Sequence, residues 1–263
     1  MDNIIQDKQK SINSILRPQK MNDILEFLIV LDDFSYLNWC CCGKSSYDLI
    51  DSQKSKFPGK LIIISIIDLY SNTYIIDGHV QIKTLYIKMP KENMYVDSYK
   101  YQEKQFNSKF NELISIFSEL NAKKVNFYFH NTDEESFNLE SKLKVKVSDS
   151  NVYINKLHSQ KIQKKMYIEF DKRSAHNTGI DIDIKKFGDK SKFFYLPKEF
   201  EWIEIIRNRV NGNMKIQKYS FVFSDDYAFS SHFYNSLKAL EINFAYMSSK
   251  FNEIKIEYQV EYY

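Results

Sequence analysis

The chain carries one order of elements twice, and that order restricts the folds open to it. From Phe106 to Phe170, and again from Phe200 to Tyr262, an apolar-periodic helix precedes an alternating strand, an insert and a second alternating strand. Phe110, Leu113 and Ile114 in the first helix answer to Trp202, Ile205 and Ile206 in the second, an offset of 92. The strand Val125–Phe129 answers to Tyr219–Phe223 at an offset of 94. Ile162, Met166, Ile168 and Phe170 answer to Ile254, Tyr258, Val260 and Tyr262, again at 92. A two-residue drift within a loop is the signature of a diverged duplication. The pattern predicts a core that includes Phe110, Leu113, Phe127, Phe129 and Ile168 in one half. Trp202, Ile205, Phe221, Phe223 and Val260 are their counterparts in the other.

Ahead of the repeat the signals are shorter. Ile24, Phe27, Leu28 and Leu31 sit at helical spacing and predict a short helix within residues 21–39. Residues 60–68 form a β-branched run that reads as a buried strand. The stretch from Tyr74 to Met89 alternates about Asp77-Gly78, which predicts a hairpin there, ended by Pro90. Strands outnumber helices and do not alternate with them as in βαβ units. The expectation is an α+β fold with a mostly antiparallel sheet. Residues 1–98 form an N-terminal α+β region and residues 99–263 the duplicated region.

Composition narrows the function. A net charge of +3 over 263 residues is too balanced to point to nucleic acid or an anionic membrane. With only 6 glycines there is no Gly-rich phosphate loop, and neither GxGxxG nor GxxxxGK[ST] occurs. The five histidines are scattered, without the spacing of a metal site, and the pairs Asp181/Asp183 and Asp225/Asp226 supply too few oxygens for a hard cation. No metal and no cofactor is expected. The 3 cysteines are adjacent, Cys40, Cys41 and Cys42, and cannot build a disulfide framework. They point to a reducing, cytoplasmic location. Beside Trp39 and Lys44 they read as buried thiols, or as candidates for lipid modification.

One local pattern suggests chemistry. Asp68 closes the predicted strand, and Gln81-Ile82-Lys83 falls on the next predicted strand pair. This resembles the PD-(D/E)xK nuclease core in its Gln variant. The resemblance implies that Asp68 would hold Mg²⁺ and that Lys83 would orient the attacking water. It spans about sixteen residues, and the proline before the Asp and the basic helix after the strands are missing. The same triplet also serves as an ordinary solvated strand face. A second resemblance lies in layout alone. Strand, insert, strand, given twice, is similar to pore-forming proteins of the perforin and gasdermin kinds. In the first insert Leu139, Leu143, Val145 and Val147 share one face of an alternating segment and would meet lipid. An alternating strand is equally a half-buried sheet strand. The leading expectation is a non-catalytic protein that binds a protein partner, or assembles with itself, through exposed strands and aromatics. A membrane-inserting pore former is the alternative, and a divergent metal-dependent nuclease the third reading.

Overall fold

The computed structural model describes residues 25–33, 35, 37, 59–130, 150–155, 164–170, 184–189, 191–212, 215–223, 242 and 254–263. The fold is α+β. The chain divides into two compact units, one of residues 22–105 and 225–251, the other of residues 1–21, 106–224 and 252–263.

The first unit is built on a four-stranded sheet, order β2-β1-β3-β4. Strand β1 (Leu25–Leu31) runs parallel to β2 (Gly59–Ser65) and antiparallel to β3 (Thr84–Met89), which pairs in turn with β4 (Met94–Asp97). The helix predicted over Ile24–Leu31 is instead this central strand. Phe27, Ile29 and Leu31 enter the apolar cluster on one face, and Leu28 and Val30 the cluster on the other. Residues buried on both faces form a continuous apolar run, and the spacing of a few of its members imitates a helix. The hairpin also lies elsewhere than predicted. Asp77-Gly78 belongs to an irregular stretch that, among the described residues, makes the parallel bridge Ile76–Tyr95. The true hairpin joins β3 and β4 through Pro90–Asn93, with Asn93 at φ 51° and its N–H on the Met89 carbonyl at 3.1 Å. Proline presets the turn and asparagine tolerates the left-handed region.

Helix α1 (Ile66–Ser71) follows β2 directly, capped by Ser65, whose hydroxyl accepts from the Asp68 N–H at 3.0 Å. Leu69 and, beyond the helix, Tyr74, Ile76 and Val80 cover the Leu28–Val30 face of the sheet.

The second unit is a five-stranded antiparallel sheet, order β6-β7-β5-β9-β8, with helices on one face. Helix α2 (Ser98–Glu119), of which residues 106–119 belong to this unit, leads into β5 (Ala122–His130). Asn121 ends the helix at φ 55°, where its N–H reaches the Ser118 carbonyl. Strands β6 (Ser150–Asn155) and β7 (Lys164–Phe170) follow, then helix α3 (Phe200–Gly212), β8 (Ile216–Phe223) and β9 (Ile254–Tyr262). The predicted helix carrying Phe110, Leu113 and Ile114 and the predicted strand Val125–Phe129 are both present. Phe110 packs on Phe127 at 4.8 Å and on Phe129 at 5.8 Å, and Trp202 meets Phe221 edge-on at 6.4 Å. All the predicted core members of the first half are buried. In the second, Trp202, Ile205 and Val260 are buried, Phe221 is half-buried, and the Phe223 side chain lies outside the description. The far face of the sheet carries ion pairs beside the exposed Ile216 and Val222. There Lys124 pairs with Glu261 at 2.7 Å, and Lys255 with Glu257 at 2.8 Å.

Strand pairing gives the two halves a common register. Phe127 pairs with Met166, and the residues 92 further on, Tyr219 and Tyr258, pair with each other. Val125–Ile168 and Gln217–Val260 repeat the relation. By strand pairing β5 and β8 stand 92 apart, where the apolar pattern matches them at 94. At that spacing of 92 the counterpart of Val125 is the polar Gln217.

Candidate functional site

Strand β8 and the helix above it carry the features that a repeat of pure packing would lack. At the offset of 92, Ile116, Phe117, Val125, Phe127, Met166 and Phe170 become Asn208, Arg209, Gln217, Tyr219, Tyr258 and Tyr262. Six apolar positions in the first half are thus hydrogen-bonding side chains in the second. Four of them pair by hydrogen bonds. Asn208 Nδ2 donates to the Tyr219 hydroxyl at 2.9 Å, and the Tyr262 hydroxyl donates to Gln217 Oε1 at 3.0 Å. The Arg209 guanidinium lies 4.2 Å from the centre of the Tyr262 ring, with Nη2 donating to the Tyr263 carbonyl at 3.2 Å. Burial pulls the Arg209 pKa down from its ordinary value, with the Tyr262 phenol opposing.

Tyr258 stands at the centre of this layer. Its ring stacks on Tyr219 at 5.7 Å and meets Phe117 edge-on at 5.3 Å. Burial first, then Tyr262, Tyr219 and Glu201, push its phenol well above the usual value. It is 1% exposed, and among the described residues its hydroxyl has no hydrogen-bond partner. A buried hydroxyl without a partner costs about 1–3 kcal/mol. Tyr258→Phe is therefore expected to stabilise the fold by about 1 kcal/mol, read as a higher midpoint in chemical denaturation at unchanged slope. A lower midpoint would show that the hydroxyl is satisfied.

Among the described residues β8 pairs on one side only, with β9. The Tyr262 N–H donates to the Lys215 carbonyl at 2.9 Å, which fixes the phase of the ladder. Residues 217, 219 and 221 turn their main-chain groups toward β9, and residues 216, 218, 220 and 222 turn theirs outward. Those outward residues are also the ones on the uncovered face: Ile216 is 54% exposed, Val222 is 51% exposed, and Lys218 and Ser220 are exposed between them. The strand is eight residues long without a proline, glycine or bulge. Natural edge strands commonly carry such devices to prevent pairing with another chain.

The residues singled out from sequence lie elsewhere. Asp68 is on α1, three residues beyond the end of β2, and exposed. Gln81 and Lys83 lie in the turn that enters β3, not on a strand. The Gln81 N–H donates to the Tyr86 hydroxyl at 2.7 Å, and Lys83, at φ 55°, donates its N–H to the Val30 carbonyl at 2.6 Å. The strand pair that the nuclease resemblance implies is thus replaced by a helix and a turn. Among the described residues no group of three His, Cys, Asp or Glu side chains is placed to hold a metal ion. For the pore-like layout, β5 with β7 and β8 with β9 are indeed adjacent antiparallel pairs. The insert positions Leu139, Leu143, Val145 and Val147 lie outside the described residues, as do Cys40, Cys41 and Cys42. No helix among the described residues is long and apolar enough to cross a membrane.

One further polar cluster belongs to the first unit. Lys60, Glu26, Lys88 and Tyr95 stand in a row across β2, β1, β3 and β4. Glu26 accepts from the Tyr95 hydroxyl and lies 3.6 Å from Lys88 and 3.8 Å from Lys60. Partial burial works against its charge, yet the tyrosine and the two lysines outweigh it and hold the carboxyl below its ordinary value. The row binds the sheet together and leaves no group poised for reaction.

Compared with protein-family models, curated proteins and solved structures, the chain matches none.

Proposed function

We propose that this protein works by binding, not by catalysis: it takes an extended segment of a polypeptide onto the outer edge of β8. The observation that carries this reading is the coincidence, on the same four residues, of outward main-chain groups and uncovered side chains. Main-chain hydrogen bonds from residues 216, 218, 220 and 222 would supply affinity, and the Ile216 and Val222 side chains an apolar contact. Three adjacent cysteines suit a reducing compartment for that work.

Ser220→Pro tests it. The substitution removes an outward N–H, and the bonds to β9 run through residues 217, 219 and 221. In native extracts of cells that make the protein, the wild type is expected in a complex larger than the chain. The proline variant should run at the mass of the chain alone, and purified it should unfold within about 1 kcal/mol of the wild type, as surface substitutions do. A wild type that runs at the chain's own mass, or a complex that survives the proline, would defeat the reading.

A further inference from the structure

We infer that the partner of β8 is β8 of a second copy, paired antiparallel about a two-fold axis at Tyr219. This rests on the edge reading above and names its partner.

The phase of the ladder limits the choices. An outward residue of one copy must meet an outward residue of the other, so the axis passes through a residue and not between two. With the axis at Lys218, two lysines would face each other directly, which like charges disfavour. With the axis at Ser220, Lys218 would face Val222 and Ile216 would fall beyond the strand. With the axis at Tyr219, Ile216 of each copy meets Val222 of the other, and Lys218 meets Ser220. The two exposed apolar residues lie three positions on either side of Tyr219, so both contacts form at once. The pattern is self-complementary in the way a two-fold interface requires. A net charge of +3 opposes the approach of two copies only weakly. The product is a continuous ten-stranded sheet made from two five-stranded ones.

A charge-swap experiment reads the register directly. Light scattering on the purified full chain should give twice the chain mass for the wild type across the micromolar range. Ile216→Glu with Val222→Glu places carboxylates opposite each other at both contacts and should give the monomer. Ile216→Glu with Val222→Lys restores opposite charges at both contacts and should return the dimer. Within one chain these residues are about 20 Å apart along the strand, so an internal ion pair cannot produce the rescue. A monomeric wild type, a dimer that tolerates both glutamates, or a Glu/Lys pair that fails to rescue overturns the inference. A monomeric purified chain alongside a proline-sensitive complex in cells would overturn the self-pairing and leave the edge reading standing.

Discussion

Glu112→Ala is expected to cost about 3–5 kcal/mol, the loss found when the charged partner of a buried polar assembly is removed. Glu112 lies on α2 and is 2% exposed. Its carboxylate accepts three main-chain N–H groups, from Phe194 at 2.9 Å and from Tyr195 and Leu196 at 2.7 Å each. These donors open the short 3₁₀ turn Leu196–Lys198, whose first N–H groups have no partner within the turn itself. A single side chain thus fastens the segment that leads into α3 to the middle of α2. Each buried donor left without a partner costs about 1–3 kcal/mol. The three are not additive, because a loosened turn can expose some of them to water. Glu112→Gln separates charge from geometry. One amide oxygen still accepts from Tyr195 and Leu196, but the amide NH₂ faces the Phe194 N–H, donor against donor. That variant should lose roughly half as much. Chemical denaturation of both variants measures the difference. An alanine loss below 1 kcal/mol would mean that the turn finds other acceptors.

How far this could be read from sequence depends on what each signal reports. Helix α2, β5, β7, α3 and β9 were legible because each buries one face, and the apolar residues recur with the period of the element. Strand β1 was not, because both its faces are buried and its run of apolar residues keeps no period. Asp77-Gly78 is a sound turn signal, but the working turn lies at Pro90–Asn93, where proline reads from sequence as an end. Gln81 and Lys83 alternate as a strand would, yet tertiary bonds to Tyr86 and Val30 hold them in a turn.

The candidate site failed to show for a different reason. That β8 stands at the edge of the sheet is a property of strand order, and no residue within Ile216–Phe223 announces it. The polar layer beneath it did leave a trace. Laid over the first half at 92, Asn208, Arg209, Tyr258 and Tyr262 fall on apolar positions, visible without coordinates, and only Gln217 depends on matching the first strand at 92 instead of 94.

Trp202→Ala is the second large effect, at about 3–5 kcal/mol, the range for truncating a buried aromatic. Trp202 is 1% exposed and, with Phe221 edge-on to its ring, fills the layer between α3 and the sheet. It occupies the place that Phe110 holds in the first half, where the neighbours are Phe106, Phe127 and Phe129. The two sites should not respond alike. Around Phe110 the lining is aromatic and apolar, so Phe110→Ala leaves a dry cavity whose walls lose dispersion contacts outright. Around Trp202 the layer also contains Tyr219 and Tyr258, whose polar ends give water a place to bind. Trp202 nevertheless removes the larger side chain, and the two losses should be similar in size while differing in character. Phe221→Ala should cost less, about 1–2 kcal/mol, because its ring is only half-buried and less contact is lost. Denaturation midpoints order the three. If Phe221→Ala proves as damaging as Trp202→Ala, its ring is covered in solution beyond what the single chain buries. Repeating the measurement on Ile216→Glu with Val222→Glu, which should be monomeric, then decides whether a second copy supplies the cover.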